Sequence, residues 1–187
     1  MNKIEDFIIE EDGELEEYIG NDSEVVIPSC FKSIGVGAFY GCKGVMSVTI
    51  PNSITDVGNY TFYGCEKLKS IAFPDTVSYI STLMMFFGCK SLQSVVFPKS
   101  VTEIGEFAFG LCESLKSFVV PDTVTLIDKL AFCGCNQLDS IVIPASVDYI
   151  GEDAFFDCGK NLVITAAEGS YAEKYARENG IKVKLIQ

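Results

Sequence analysis

The sequence predicts a repeat solenoid, and three observations predict it. Pro28, Pro51, Pro74, Pro98, Pro121 and Pro144 fall 23, 23, 24, 23 and 23 residues apart. Each closes a short run of β-branched or aromatic residues. Six of the eight cysteines, Cys42, Cys65, Cys89, Cys112, Cys135 and Cys158, hold one position of the same period. A fixed spacing of this size marks stacked units sharing a continuous core, not a globular fold around one central site.

The bulk properties narrow the function classes. Nearly half of the 187 residues are apolar, ample material for a core. The formal net charge of −12 argues against nucleic acid as a partner, because phosphate contacts need clustered Lys and Arg. No run of about 18 apolar residues is present, so no membrane span is expected. The N-terminus is acidic with scattered apolar residues, whereas a secretory leader needs a basic start and an apolar run. The chain as written therefore reads as cytoplasmic; a leader on a longer product would change that. With no histidine and no tryptophan, Ser/His/Asp and Cys/His arrangements are impossible. No glycine-rich phosphate loop sits between a strand and a helix. No enzymatic activity and no cofactor are expected.

Taken in order, residues 1–24 form an N-terminal cap. Asp12-Gly13 lies between two apolar runs and signals a β-hairpin. Ten acidic residues from Glu5 to Glu24 crowd this cap, opposed only by Lys3. A calcium or cationic-partner site is one reading, but no EF-hand spacing is present. A solvated cap that stops end-to-end stacking is the favoured one.

Residues 25–160 hold six units. Each opens with a strand, such as Val48-Thr49-Ile50 or Val95-Val96-Phe97, ended by the proline that removes a ladder donor. Alternation points Val48, Ile50 and their counterparts inward and Thr49, Ala72, Val96, Val119 and Val142 outward. A second short extended piece follows, such as Val101-Thr-Glu-Ile104. Gly35, Gly58, Gly105 and Gly151 come next, fitting a bend with relaxed backbone limits. The Gly-x-x-Ala-Phe-x-x-Cys stretch reads as a turn of α or 3₁₀ helix, with Ala, Phe and Cys on one inner face. Residues 161–187 form a C-terminal cap of strand, helix and strand. Ser170 and Glu173 make a capping box, and Gly180 fits the helix end.

The pattern L-x-S-[VI]-x-[IF]-P-x-[ST]-V-T-x-I-G-x-x-A-F-x-x-C resembles the BspA-type leucine-rich repeat over about residues 25–160. The resemblance implies a short, curved, right-handed β/α solenoid with a parallel sheet. It also implies a protein-binding, adhesion-type role at the bacterial surface or in secretion. Departures are local: one extra residue within residues 81–87, Asp128 for a turn glycine, and Leu111 and Asp157 for the glycine before cysteine.

Four features carry candidate chemistry. Rungs about 4.8 Å apart fall within disulfide range, yet parallel side chains suit the S–S dihedral poorly, so a reduced core ladder is favoured. Cys133-x-Cys135 hints at metal, but zinc wants about four ligands and histidine is absent. Cys30 is the candidate accessible thiol. The outward columns Ser47, Ser70, Ser94, Ser117, Ser140 and Thr49, Ala72, Val96, Val119, Val142 form a nearly uncharged stripe of the kind that marks interaction surfaces. Small residues that merely suit crowded parallel strands are the plainer reading; three successive outward valines favour binding. The repeat-three bulge offers Leu83 or Met84 as an adaptable contact, against a tolerated one-residue insertion. The expectation is therefore a protein-interaction module with an unidentified protein partner, surface-located or, alternatively, a cytoplasmic scaffold. Polysaccharide binding is disfavoured by the missing tryptophan. Acidic ends argue for a monomer and an apolar stripe for a dimer.

Overall fold

A unit of 23 residues cannot bury its own apolar face, so it is stable only when stacked. In the computed structural model, which describes residues 3–186, each unit winds two short strands and one tight turn around a shared core. Met1, Asn2 and Gln187, the extremities of the expected caps, lie outside the described residues. A short 3₁₀ turn (Ile4–Asp6) leads into the hairpin of β1 (Phe7–Ile9) and β2 (Glu14–Tyr18), with Gly13 at φ +89° in its loop. Strands then alternate between two faces: β3 (Glu24–Val26), β4 (Ser33–Ile34), β5 (Ser47–Thr49), β6 (Asp56–Val57), β7 (Ser70–Ala72), β8 (Tyr79–Ile80), β9 (Ser94–Val96), β10 (Glu103–Ile104), β11 (Ser117–Val119), β12 (Leu126–Ile127), β13 (Ser140–Val142) and β14 (Tyr149–Ile150). The chain closes with β15 (Val163–Ala167), α1 (Tyr171–Glu178) and β16 (Lys182–Ile186).

The odd-numbered strands from β3 to β15, joined by β16, build the first face and the even-numbered ones from β2 to β14 the second, with every pair within these faces parallel. Serine stacks on serine along the first face: Ser70 opposes Ser47 and Ser94, and Ser117 opposes Ser140. Inside, Tyr18, Phe39, Phe62, Phe86, Phe109, Phe132 and Phe155 form one aromatic column, with successive centroids 5.0–5.7 Å apart. Tyr18 thus stands where a phenylalanine stands in every later turn. Its N–H donates to Ala38 O at 2.8 Å, as Phe39 N–H does to Thr61 O at 2.9 Å. The hairpin therefore supplies a partial rung of the solenoid itself.

The helical turn expected before each cysteine is not helical. Two residues per turn take left-handed backbone: Gly37, Tyr60, Met84, Phe107, Leu130 and Asp153 in one column, and Gly41, Gly64, Gly88, Leu111, Gly134 and Asp157 in the other. A left-handed residue every four positions is incompatible with a right-handed helix. Ala38, Ala108, Ala131 and Ala154 still point inward with their phenylalanines. The turns stack as a third ladder, in which Phe86 N–H meets Ala108 O at 2.9 Å and Phe109 N–H meets Ala131 O at 2.8 Å. That ladder offsets the roughly 1–2 kcal/mol which a non-glycine residue costs in left-handed backbone. The glycine opening the turn has another reason than relaxed φ. A Cβ on Gly58 would stand 2.8 Å from Val36 N, so the close approach of successive rungs excludes a side chain there.

At the C-terminal end, Ser170 Oγ accepts from Glu173 N–H at 3.3 Å. Glu173 Oε2 accepts from Gly169 N–H at 2.7 Å, one residue earlier than the usual box. Gly180 N–H to Arg177 O and Ile181 N–H to Ala176 O make the two hydrogen bonds of a Schellman ending. Ala172, Tyr175 and Ala176 are buried against the last rungs.

Candidate interaction face

The first face is set by alternation. Val25, Val48, Ile71, Phe118 and Ile141 are buried, and their neighbours in the chain project outward. Thr49, Ser70, Ala72, Ser94, Ser117 and Ser140 are exposed, Ser47 and Val142 are half-buried, and Val96 and Val119 are 60% and 68% exposed. The register extends both columns beyond the predicted residues. Val26 continues the Thr49 column and Glu24 the serine column at one end. Thr165 and Lys184, then Val163 and Lys182, continue them at the other. The face is thus an uncharged strip bounded by an acidic residue at the N-terminal edge and two lysines at the C-terminal edge. The first unit opens on Glu24 instead of serine, which hides Val26 from a pattern keyed to serine.

The strip is not continuous. The first-face strands pair as β3–β5–β7–β9 and as β11–β13–β15–β16; the second face pairs as β1–β2–β4–β6–β8 and as β10–β12–β14. Both breaks lie across the same rung; the second-face one spans the 24-residue spacing from Ile80 to Ile104, whereas β9 and β11 keep the ordinary spacing of 23 from Ser94 to Ser117. Ser81 N–H meets Val57 O at 3.0 Å, as Gly58 N–H meets Ile34 O at 2.8 Å, so Ser81 takes the turn-opening position and Thr82 is the residue in excess. Thr82 is fully buried. Its Oγ1 accepts from Gly105 N–H at 2.8 Å and donates to Glu103 O at 3.0 Å, standing in for ladder bonds to the rung above. The insertion is therefore absorbed inside by a hydroxyl and does not extrude Leu83 or Met84. Both are half-buried, and Met84 takes the left-handed position at φ +46°. Met85 and Phe86 fill the core.

The cysteine column has a distinct chemical task. The thiols of Cys65, Cys89, Cys112, Cys135 and Cys158 donate to the carbonyls of Phe39, Phe62, Phe86, Phe109 and Phe132 at 3.0–3.3 Å. Each is a second donor to the core phenylalanine carbonyl one rung earlier, which already accepts from the backbone N–H of the cysteine in its own turn, as Phe62 O does from Cys65 N–H at 3.1 Å. Burial holds these thiols protonated: Cys42 is pushed up to about 11, Cys89 and Cys158 to about 12, and Cys65, Cys112 and Cys135 well above the usual range. All eight cysteines are free thiols, and Cys30 is exposed.

Two other features complete the surface. Tyr40, Tyr63 and Phe87, each following a core phenylalanine, stack outside the turns with centroids 4.7 and 5.1 Å apart. The aromatic pair repeated in the first three units, Phe39-Tyr40, Phe62-Tyr63 and Phe86-Phe87, is the sequence signal of this column. Glu10, Glu11, Asp12, Glu14 and Glu16 line an open groove of about 580 Å³ with Gly35 and Val36. The Glu10 charge beside it pushes the Glu16 carboxyl up. Among the described residues, no group of three or more His, Cys, Asp or Glu is arranged to hold a metal ion. Among the same residues, no helix is long and apolar enough to cross a membrane.

The model of the BspA-type leucine-rich repeat region matches residues 17–85 and 83–180, with six copies. The chain belongs to this family. The two matched segments meet at the turn that carries the extra residue. A leucine-rich repeat protein of T. pallidum is 28% identical with a TM-score of 0.79, covering 98% of this chain and 97% of its own. A Bacteroides ovatus leucine-rich repeat protein is 34% identical with a TM-score of 0.70; the alignment covers 88% of this chain and 42% of that one. A leucine rich cell surface protein of Faecalibacterium prausnitzii is 28% identical with a TM-score of 0.61, over 86% of this chain and 52% of that one. No curated protein matches the chain. As a BspA-type solenoid, the chain has the architecture of a protein-interaction module, in which stacked units present one extended surface.

Proposed function

We propose that this chain is a non-enzymatic module that binds a protein partner along its first face, in a surface or secreted adhesion-type role. The observation that carries the reading is the uncharged strip itself: Val96 and Val119 stand well exposed in its outer column, on either side of the break and beside the column of serines. Exposed β-branched side chains gain nothing from water and gain about 25 cal/mol per Å² when covered. The surface role is supported by the likeness to a protein described as a leucine rich cell surface protein. A cytoplasmic scaffold is the second reading. It is favoured by the thiol column, whose hydrogen bonds to carbonyls require reduced sulphur. Leu83 and Met84 are the weaker contact candidates, since both are half-buried.

The test is the double variant Val96→Lys/Val119→Lys. Both positions face water, so thermal unfolding should stay within about 0.5 kcal/mol of the parent, as for ordinary surface changes. Capture of a partner identified with the parent chain should be lost, because two buried, unpaired ammonium groups would oppose the interface. Persistent capture by a folded variant would falsify the assignment of the face.

A further inference from the structure

Where the first face is interrupted, two strand edges confront each other without pairing. In the units on either side, the residue before the serine bonds to the preceding rung: Lys69 N–H to Met46 O at 3.1 Å, Gln93 N–H to Lys69 O at 2.8 Å, Asp139 N–H to Lys116 O at 2.9 Å. Among the described residues, Lys116 N–H and Gln93 O do not make the corresponding bond, and β9 does not pair with β11. Val95 and Phe97 are correspondingly half-buried, where Ile71, Phe73, Ile141 and Ile143 are buried. Phe118 replaces the smaller inward residue of other units and packs between Phe109 and Phe132, at 4.9 and 5.4 Å. A polar cavity of about 340 Å³ opens at this break, lined by Gln93, Ser114, Lys116, Ser117 and Gln137. Lys116 takes part in no ion pair among the described residues.

On the turn side the same rung is intact. Met84 N–H to Glu106 O, Phe86 N–H to Ala108 O and Gly88 N–H to Gly110 O hold at 2.8–3.0 Å, and Phe86 stacks on Phe109 at 5.4 Å. The two halves are thus joined along the turns, tied on the second face by Thr82, and left without strand pairing on the first face. Unpaired N–H and C=O groups along a strand edge are a template for another extended chain.

We propose that this break is a strand acceptor: one extended peptide segment of the partner enters between β9 and β11. The inference rests on the reading of the first face as the binding surface and names its focus and its occupant. The chain shows what the other edge of β11 accepts, which is Asp139-Ser140-Ile141-Val142 in parallel register. The occupant has the same chemistry: small residues outward, β-branched residues inward, and a carboxylate one position ahead of the strand. The Lys116 ammonium and the Gln93 and Gln137 amides receive that carboxylate.

The probe is a synthetic peptide of residues 136–144, labelled and blocked at both ends, added to the full chain. Saturable binding is expected, with amide hydrogen exchange slowed in residues 93–97 and 116–119. Lys116→Glu, an exposed change, should weaken binding about tenfold or more by opposing the carboxylate. No binding, protection located at β3 or β16, or unchanged affinity in Lys116→Glu overturns the proposal. The variant Thr49→Lys/Ala72→Lys separates this proposal from the broader one, since it alters the face but not the break. Loss of partner capture there, with no peptide binding to the parent, leaves the face standing and removes the acceptor. Peptide binding with capture unaffected does the reverse.

Discussion

At the scale of single residues, the cysteines explain themselves once the carbonyls are considered. A backbone C=O has two lone pairs, and each core phenylalanine carbonyl accepts one bond from a backbone N–H, as Phe62 O does from Cys65 N–H at 3.1 Å, which leaves the second for the thiol of the next rung. A thiol is small enough for the column and polar enough to donate. Hydrophobic periodicity shows such a residue only as buried, so its repetition was legible in the sequence and its partner was not. Burial sets a pH dependence. Cys89 ionises near 12 in the folded chain against 9.0 when unperturbed, and Cys112 and Cys135 are raised as well, all mainly by desolvation. With the native value above the unfolded one, both states are protonated below pH 9.0 and stability is complete there. Above it the unfolded chain ionises first, and stability is lost by about 1.4 kcal/mol per pH unit for each fully buried thiol. The melting temperature should therefore hold steady from pH 7 to about 8.5 and fall steeply above 9. A profile flat to pH 11 would show that these thiols are modified or not buried.

At the scale of elements, the strands were legible because alternation and proline both act locally. The turns were not, since residues such as Tyr60, Phe107 and Leu130 do not announce left-handed backbone; only the stacking of successive turns imposes it. The break at the extra residue was half legible. The 24-residue spacing located it, but whether Leu83, Met84 or Thr82 would absorb the excess depends on which side chain can replace a ladder bond. Only the threonine hydroxyl both donates and accepts at that depth. The terminal helix was legible from Ser170 and Glu173. Ser170→Ala removes the acceptor for Glu173 N–H and should cost about 1 kcal/mol by denaturant unfolding. Because Glu173 also holds Gly169 N–H and Arg177, at 2.7 and 2.8 Å, a loss far above that value would mean the whole cap had detached.

At the scale of the molecule, charge is distributed unevenly along the axis. The net charge is −12, and ten acidic residues fall within the first 24, against Lys3 alone. The far end carries Lys174, Arg177, Lys182 and Lys184 among fewer acids. Salt bears on this in two opposing ways. It weakens ion pairs such as Lys43–Glu66 at 2.9 Å and Lys129–Glu106 at 3.2 Å, but those with largely exposed partners contribute little. It also relieves the repulsion within the N-terminal cap, where Glu10 and its neighbours raise the Glu16 carboxyl. A carboxyl raised on folding marks stability present at acid pH and lost as pH rises through its native value, so the cap is under self-repulsion at neutral pH. Repulsion among many acids should outweigh a few screened pairs. Raising ionic strength from about 0.01 M to about 1 M, which shortens the Debye length from about 30 Å to about 3 Å, should therefore raise the melting temperature. Glu16→Gln should raise it at low salt and reduce its dependence on salt. A melting temperature that falls with salt would mean that the ion pairs along the solenoid, not the acidic cap, set the electrostatic balance of the fold.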